Sequence, residues 1–163
     1  MKKYGIFYAS NTGTTAGIAN RLAEIMDIPA EDVHNVADTA PSVLGQYETI
    51  IIGSSTWRGG SLEEDMYDFI DGAQVLDLHG HRIAIFGCGD EKMTDTFCDA
   101  VGKIYFSLKD TGAQMIGEYP ADGYTFHHSE ATDGDTMRGL VLDVVNHPEY
   151  TERRLKAWAA LLA

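Results

Sequence analysis

Residues 10–15 form the first segment of the sequence whose side chains could bind a ligand. The segment follows a short apolar run and contains four hydroxyl groups, an amide and a glycine: Ser10, Asn11, Thr12, Gly13, Thr14 and Thr15. Backbone N–H groups at a helix N-terminus bind anions, hydroxyl groups add donors, and glycine permits close approach of the backbone. Because the segment has no Lys or Arg and no Gly-Lys-Ser/Thr follows, it predicts a neutral phosphate site unlike a P-loop. A Ser/Thr-rich helix cap would have the same composition.

Two later loops contain residue types that suit a flat heterocycle. The first follows the third predicted strand and combines hydroxyls, an indole, a guanidinium and two glycines: Ser54, Ser55, Thr56, Trp57, Arg58, Gly59 and Gly60. An indole beside glycines can stack on a planar ligand, although loop tryptophans are also common in ordinary packing. The second follows the fourth strand, and its backbone could hydrogen-bond to a heterocycle at Cys88, Gly89 and Asp90. It lacks the third glycine of a dinucleotide fingerprint, and a tight turn is the alternative interpretation.

The elements that position these loops alternate between strands and helices. Continuous apolar runs predict buried parallel strands at 3–9, 48–53 and 81–87, with weaker strands at 32–36 and 114–118. Apolar residues at helical spacing predict three helices: one with Ile18, Leu22, Ile25 and Met26, one with Phe97, Val101, Ile104, Tyr105 and Leu108, and a last one with Leu155, Trp158 and Leu162. Thr151 is the expected N-cap of the last helix. The pattern predicts an α/β fold, a three-layer doubly wound five-stranded parallel sheet of order 2-1-3-4-5. Such sheets bind ligands beyond the carboxyl ends of their strands.

Residues 119–138 interrupt this alternation. An excursion of this length is usually functional or an insertion with a small structure of its own. The apolar segment 139–142 could then resume the fifth strand, so that the insertion lies within it. We expect residues 1–163 to form a single domain.

Charge and composition exclude several classes of function. The chain has 12 Lys and Arg against 25 Asp and Glu, a net charge of −13, which disfavours nucleic acids and anionic lipids and favours basic partners. No apolar stretch is long enough to span a membrane, and the initial apolar run ends at Ala9, too early for a signal peptide. Two cysteines cannot form a disulfide framework, and the six histidines show no metal-ligand spacing. We expect a soluble, cytoplasmic protein without a metal site.

Together the three loops resemble those of flavodoxins. Residues 10–15 resemble the phosphate loop for flavin mononucleotide (FMN), residues 55–60 the loop whose tryptophan covers one face of the isoalloxazine, and residues 87–90 with 97–100 the other flavin loop. The insertion and the residues after it are similar to the long-chain subgroup, and the resemblance covers essentially the whole chain. It adds Met93, Phe97 and Cys98 to the implied FMN site. Where the family usually has a tyrosine on the second flavin face, the candidates are Met93 and Thr94; we expect Met93, whose thioether can pack on a ring.

The resemblance implies a low-potential one-electron carrier with non-covalently bound FMN and no substrate turnover of its own. Its implied partners are an NAD(P)H-dependent or other reductase and acceptor enzymes. We expect these partners to carry basic patches that dock on an acidic rim of Glu63, Glu64, Asp65, Asp68 and Asp71, although a solvated helix face has the same pattern. We also expect a monomer, a potential raised by Arg58, and an Arg58–Gly59 peptide that flips on reduction of the flavin.

Other functions on the same fold have different requirements. An FMN-dependent quinone or azo-compound reductase would need a substrate pocket over the flavin and stays an alternative, as does a relative that has lost FMN. A phosphorelay receiver needs carboxylates after the first and third strands, where this chain has Ser10, Asn11 and Ser54. The sequence therefore excludes a receiver.

Overall fold

The computed structural model describes residues 1–10, 12–56, 62–93 and 95–163, and at its centre is a parallel β-sheet. In chain order its strands are β1 (Lys2–Tyr8), β2 (Val33–Asn35), β3 (Tyr47–Ser55), β4 (Arg82–Gly89) and β5 (Gln114–Ile116). They lie in the order β2-β1-β3-β4-β5, which confirms the predicted order. The isoleucine run of β3 explains its central position, because Ile50, Ile51 and Ile52 are all buried and both faces of the strand must be covered.

The edge of the sheet beside β4 is formed by two segments of the chain. β5 pairs with the first half of β4, and a later strand, β9 (Leu140–Asp143), pairs in parallel with its second half. Between them, a small antiparallel sheet of order β6-β8-β7 consists of β6 (Tyr119–Pro120), β7 (Thr132–Asp133) and β8 (Thr136–Met137). The excursion at 119–138 thus contains β-structure of its own.

Helices cover both faces of the main sheet, as a doubly wound fold requires. They are α1 (Thr14–Ile25), α2 (Glu64–Ala73), α3 (Asp99–Leu108) and α4 (Thr151–Leu162). Residues of α1 and α4 share a core with Ile51, whereas residues of α2 and α3 share a core with Ile50 and Ile52, because successive side chains of a strand point to opposite faces. Within the described part of the chain, no helix combines the length and apolar character that crossing a bilayer requires.

Two helix starts differ from the sequence prediction. The apolar spacing predicts that the third helix includes Phe97, but α3 begins at Asp99, because Cys98 adopts a left-handed conformation with φ 50°. The prediction that Thr151 is an N-cap is wrong as well. Thr151 is the first residue of α4, because a 3₁₀ turn at Pro148–Tyr150 leads directly into the helix.

Candidate functional site

The strands that lead into the three predicted loops end side by side at the carboxyl edge of the sheet. β1 and β3 end side by side, with Ala9 N donating to Gly53 O at 3.1 Å. β3 and β4 end together as well, since Ser55 pairs with Cys88 and Thr56 N donates to Cys88 O at 3.2 Å. This edge includes the point where the strand order reverses between β1 and β3, the usual ligand site of such sheets.

The first loop has the features of an anion site. Gly13, at φ 91°, is the N-cap of α1, and its N–H donates to Ser10 Oγ at 3.1 Å. The exposed Thr12 and Thr14 hydroxyls lie 3.4 Å apart, and within the described residues no side chain caps the helix. A Cβ at Gly13 would meet no atom of the described residues within 4 Å, so these residues leave the space before the helix open. The first-turn N–H groups can therefore bind an anion together with these hydroxyls.

Not every residue of this loop faces that space. The Thr15 side chain is buried, so Thr15 can offer an anion its backbone N–H only. Asn11 lies outside the described residues.

The second loop is described only at its start. Ser54 is buried and its Oγ donates to Ser55 O at 3.1 Å. Thr56 Oγ1 accepts from Ala100 N at 3.0 Å and so ties this loop to the first turn of α3. The remaining candidates lie outside the described residues: Trp57, Arg58, Gly59 and Gly60. Indole stacking, the electrostatic effect of Arg58 and the peptide flip therefore stay predictions.

The third loop presents its backbone and one carboxylate rather than its thiols. Cys88 and Cys98 are buried free cysteines, and burial raises the pKa of Cys88 to about 12 and that of Cys98 well above its usual value. Both thiols are thus protonated and unreactive at neutral pH. A Cβ at Gly89 would lie 3.0 Å from Cys98 Sγ, so the end of β4 and the residue before α3 are in close contact.

Asp90 is held in place after β4, and Met93 follows on the surface. Asp90 Oδ1 accepts from Asn146 Nδ2 at 2.6 Å and from Lys92 N at 2.9 Å. Met93 is 52% exposed, and its N–H donates to Asp90 O at 2.9 Å. The role of Met93 against a ligand ring stays a prediction, and Thr94 lies outside the described residues.

Phe97 lies beneath the excursion between β5 and β9. Its buried ring packs on Tyr124 at 5.8 Å and on Phe126 at 5.3 Å between centroids, and its carbonyl accepts from Ser129 Oγ. These contacts hold the excursion against the start of α3. The described contacts of Phe97 are therefore structural, and its contribution to a cofactor site stays a prediction.

Sequence reasoning assigned no role to the polar group after β9. Asp143 Oδ1 accepts from Val145 N at 3.0 Å and Asn146 N at 2.8 Å, and Oδ2 accepts from Asn146 Nδ2 at 2.8 Å and Glu91 N at 3.2 Å. Burial alone would raise the pKa of Asp143, but these hydrogen bonds outweigh it and lower the pKa. The signal that could have revealed the group is the Asp-x-x-Asn spacing directly after an apolar strand.

The acidic helix differs from the prediction at one residue. Glu63 is buried rather than part of a rim, because it caps α2 by accepting from Asp65 N at 3.1 Å and Met66 N at 3.3 Å. Burial raises the pKa of Glu63. The other acidic residues named for the rim are exposed on α2: Glu64, Asp65, Asp68 and Asp71.

Comparison with known proteins decides the family, since the flavodoxin family model matches residues 6–158. The chain belongs to the flavodoxin family. It is 35% identical over 156 residues to flavodoxin 1 of Escherichia coli K12, covering 94% of this chain and 89% of that protein. It is 34% identical to the flavodoxin of Synechococcus elongatus, covering 99% and 96% of the two chains. Proteins of this name are electron-transfer proteins rather than enzymes.

Solved flavodoxin structures have the same fold. A mutant of the Fusobacterium nucleatum flavodoxin, crystallised with flavin mononucleotide, superposes with a TM-score of 0.90 at 25% identity, covering 99% of this chain and 95% of that chain. Flavodoxin 2 of Bacillus cereus superposes with a TM-score of 0.77 at 27% identity.

Proposed function

We propose that this flavodoxin is a low-potential one-electron carrier that binds FMN non-covalently at the carboxyl edge of its sheet. Bound FMN supplies the one-electron chemistry, and the protein positions and tunes it. The observation that carries the proposal is the α1 N-terminus, which has hydroxyls but no side-chain cap among the described residues and lies beside the ends of β3 and β4.

The phosphate would be held by the first loop. Ser10, Thr12 and Thr14 supply hydroxyls, Gly13 supplies close backbone approach, and the first-turn N–H groups of α1 supply aligned donors. Because this loop holds no cation, affinity for a phosphate monoester would come from hydrogen bonds and the helix dipole rather than from an ion pair.

The flavin ring would lie over the ends of β3 and β4. The backbone of Cys88 and Gly89 would offer hydrogen bonds, Trp57 would cover one face, and Met93 would lie at the other. Asp90, whose carboxylate is fixed by Asn146 at 2.6 Å, would place negative charge near the ring. That charge would disfavour addition of electrons and so keep the potential low.

Docking would use the exposed acidic face of α2. Its carboxylates would attract a basic patch on a reductase or an acceptor enzyme and make the association rate sensitive to salt. The proposal includes a monomer with one domain over residues 1–163, of the long-chain subgroup, in which β6, β7 and β8 belong to the insertion. It also includes a cytoplasmic location, where the free thiols Cys88 and Cys98 would stay reduced.

The test compares FMN with riboflavin, which has the same ring without the phosphate. We expect the purified protein to be yellow and its apoprotein to bind FMN far more tightly than riboflavin, measured by quenching of flavin fluorescence. The variant Thr14→Val should weaken FMN binding by about 0.5–1.5 kcal/mol, the value of one hydrogen bond, and leave riboflavin binding unchanged. Absence of FMN binding, or equal affinity for both flavins, would refute the proposal.

A second candidate, an FMN-dependent quinone or azo-compound reductase, is favoured by one observation. Met93 is 52% exposed, which leaves room for a substrate beside the flavin loop. Steady-state reduction of a quinone with a nicotinamide donor and no added reductase would support this candidate over the carrier.

A further inference from the structure

A cluster of potential metal ligands lies where the loop after β4 meets the turn after β9. Glu91, Asp143 and His147 each offer one ligand atom, and these atoms all lie within 4.8 Å of one another. Glu91 Oε2 lies 3.0 Å from His147 Nε2. The ligands come from two parts of the chain, the loop after β4 and the turn after β9, which the sheet brings together.

One oxygen of this cluster is buried without a hydrogen bond. Glu91 is 3% exposed and Asp143 is 1% exposed. Glu91 Oε1 accepts from Thr125 N at 3.2 Å, but Oε2 makes no hydrogen bond to any described residue. A buried carboxylate oxygen without a donor is costly, and a second carboxylate beside it adds repulsion. A bound cation would remove both costs.

The surroundings hold the ligands in place. Backbone and Asn146 donors fix both oxygens of Asp143, as described above. His147 Nδ1 lies 3.4 Å from Glu149 Oε1, and the imidazole presents Nε2 to Glu91. A carboxylate behind a histidine is the usual support of a metal-binding imidazole. The His147 ring also stacks on Tyr150, with 5.3 Å between centroids.

A cation could reach this cluster from solvent. Glu91 and His147 line a surface cavity of about 580 Å³ together with Lys92, Thr125, Val145 and Asn146. The cavity leaves room for water molecules to complete the coordination of a metal bound by three protein ligands.

We propose that Glu91, Asp143 and His147 form a binding site for one divalent transition-metal cation, with zinc as the representative ion. One imidazole nitrogen and two carboxylate oxygens suit zinc, whereas magnesium prefers oxygen ligands alone. Ligands about 2.0–2.2 Å from zinc lie about 3–4 Å from one another, so only a small closure of the cluster is needed. Histidine spacing alone did not predict the site, because its other ligands are carboxylates from a different loop.

Calorimetric titration of the EDTA-treated full-length protein with zinc chloride tests the proposal. We expect one zinc per chain, and His147→Gln and Glu91→Gln should each weaken binding by at least about tenfold. The matched control is His79→Gln, which changes an exposed histidine paired with Asp77 and should alter zinc affinity less than twofold. Circular dichroism of each variant reports whether it folds.

A spectroscopic readout on the unmodified protein complements the variants. Zinc should shift the Nε2 resonance of His147 in a long-range ¹H–¹⁵N spectrum and leave that of His79 unchanged. The proposal is overturned by an absence of zinc binding, by a shift at other histidines only, or by magnesium binding as tight as zinc binding. None of these readouts requires FMN, so their failure would leave the proposed carrier function intact.

Discussion

Replacement of Glu91 by Gln should stabilise the metal-free protein. Glutamine keeps an oxygen that can accept from Thr125 N, and its amide group puts a donor where Glu91 Oε2 has none among the described residues. The substitution also removes one of two neighbouring buried carboxylates. It leaves Asp143, whose oxygens already have donors, unchanged.

The expected gain follows from the geometry. Two unit charges 4.8 Å apart, the upper limit for the ligand atoms of Glu91 and Asp143, repel by about 0.9–3.5 kcal/mol at effective dielectric constants of about 80 to 20. Loss of the contact between Glu91 and His147, at 3.0 Å, offsets part of this gain. We therefore expect the free energy of unfolding to rise by about 1–2 kcal/mol, which for a chain of this length raises Tm by about 2–8 °C.

The assay is thermal unfolding in EDTA, followed by circular dichroism at pH 7. Glu118→Gln is the control, because Glu118 is exposed and the change in net charge, from −13 to −12, is the same. A Glu91→Gln protein that melts below the parent, or no higher than Glu118→Gln, would contradict the account of this cluster. The two effects of the substitution are then opposite in sign, since it should stabilise the fold and weaken zinc binding.

Three further predictions concern stability, each measured by urea unfolding. Tyr47→Phe should destabilise by about 1–3 kcal/mol, because Tyr47 OH donates to the buried carboxylate of Asp32 at 2.8 Å; a loss below about 0.5 kcal/mol would argue against this bond. Burial lowers the pKa of His34 below 6.5, so the unfolded chain binds a proton at this residue more readily than the folded chain does. The free energy of unfolding should therefore fall as the pH drops below about 6.5, and His34→Gln should reduce this pH dependence. An unchanged pH dependence in the variant would exclude His34 as its cause. Gly13→Ala should cost about 1–2 kcal/mol through its φ of 91°, since the added Cβ meets no atom of the described residues within 4 Å. An unchanged midpoint would show that the turn relaxes.

The strands of the sheet could be predicted from the sequence because burial on both faces leaves a strong local signal. β1, β3 and β4 each contain a continuous apolar run, and the predicted strand order is the observed one. The short edge strands β2 and β5 leave weaker signals, because fewer of their residues are buried. Helix ends were predicted less well, since the left-handed Cys98 and the turn before Thr151 depend on tertiary contacts that periodicity does not contain.

In the candidate site too, features with a local sequence signal could be predicted and features that depend on tertiary contacts could not. The loops after β1 and β4 could be chosen as candidates from the sequence because hydroxyls and glycines directly follow apolar strands. The roles of Glu63 and Asp143 were not predicted, because each carboxylate accepts from N–H groups of a turn that forms only on folding. For Asp143, the Asp-x-x-Asn spacing is the signal that the sequence does carry. The contact between Glu91 and His147 joins residues 56 positions apart, and only the pairing of β4 with β9 brings them together.

β5 and β9, which pair with the same edge of β4, almost meet where the chain leaves and re-enters the main sheet. Ile116 is paired with Ala84 and Leu140 with Phe86, so Ile85 alone separates the departure from the return. Gly139 lies against that position, where a Cβ would fall 2.0 Å from Ile85 O. A bridge of about one residue would thus restore an uninterrupted strand, since a strand rises only about 3.3 Å per residue. Residues 117–139 are therefore not needed to complete the sheet. They cover α3, where a Cβ on Gly102 would lie 2.2 Å from Glu130 O.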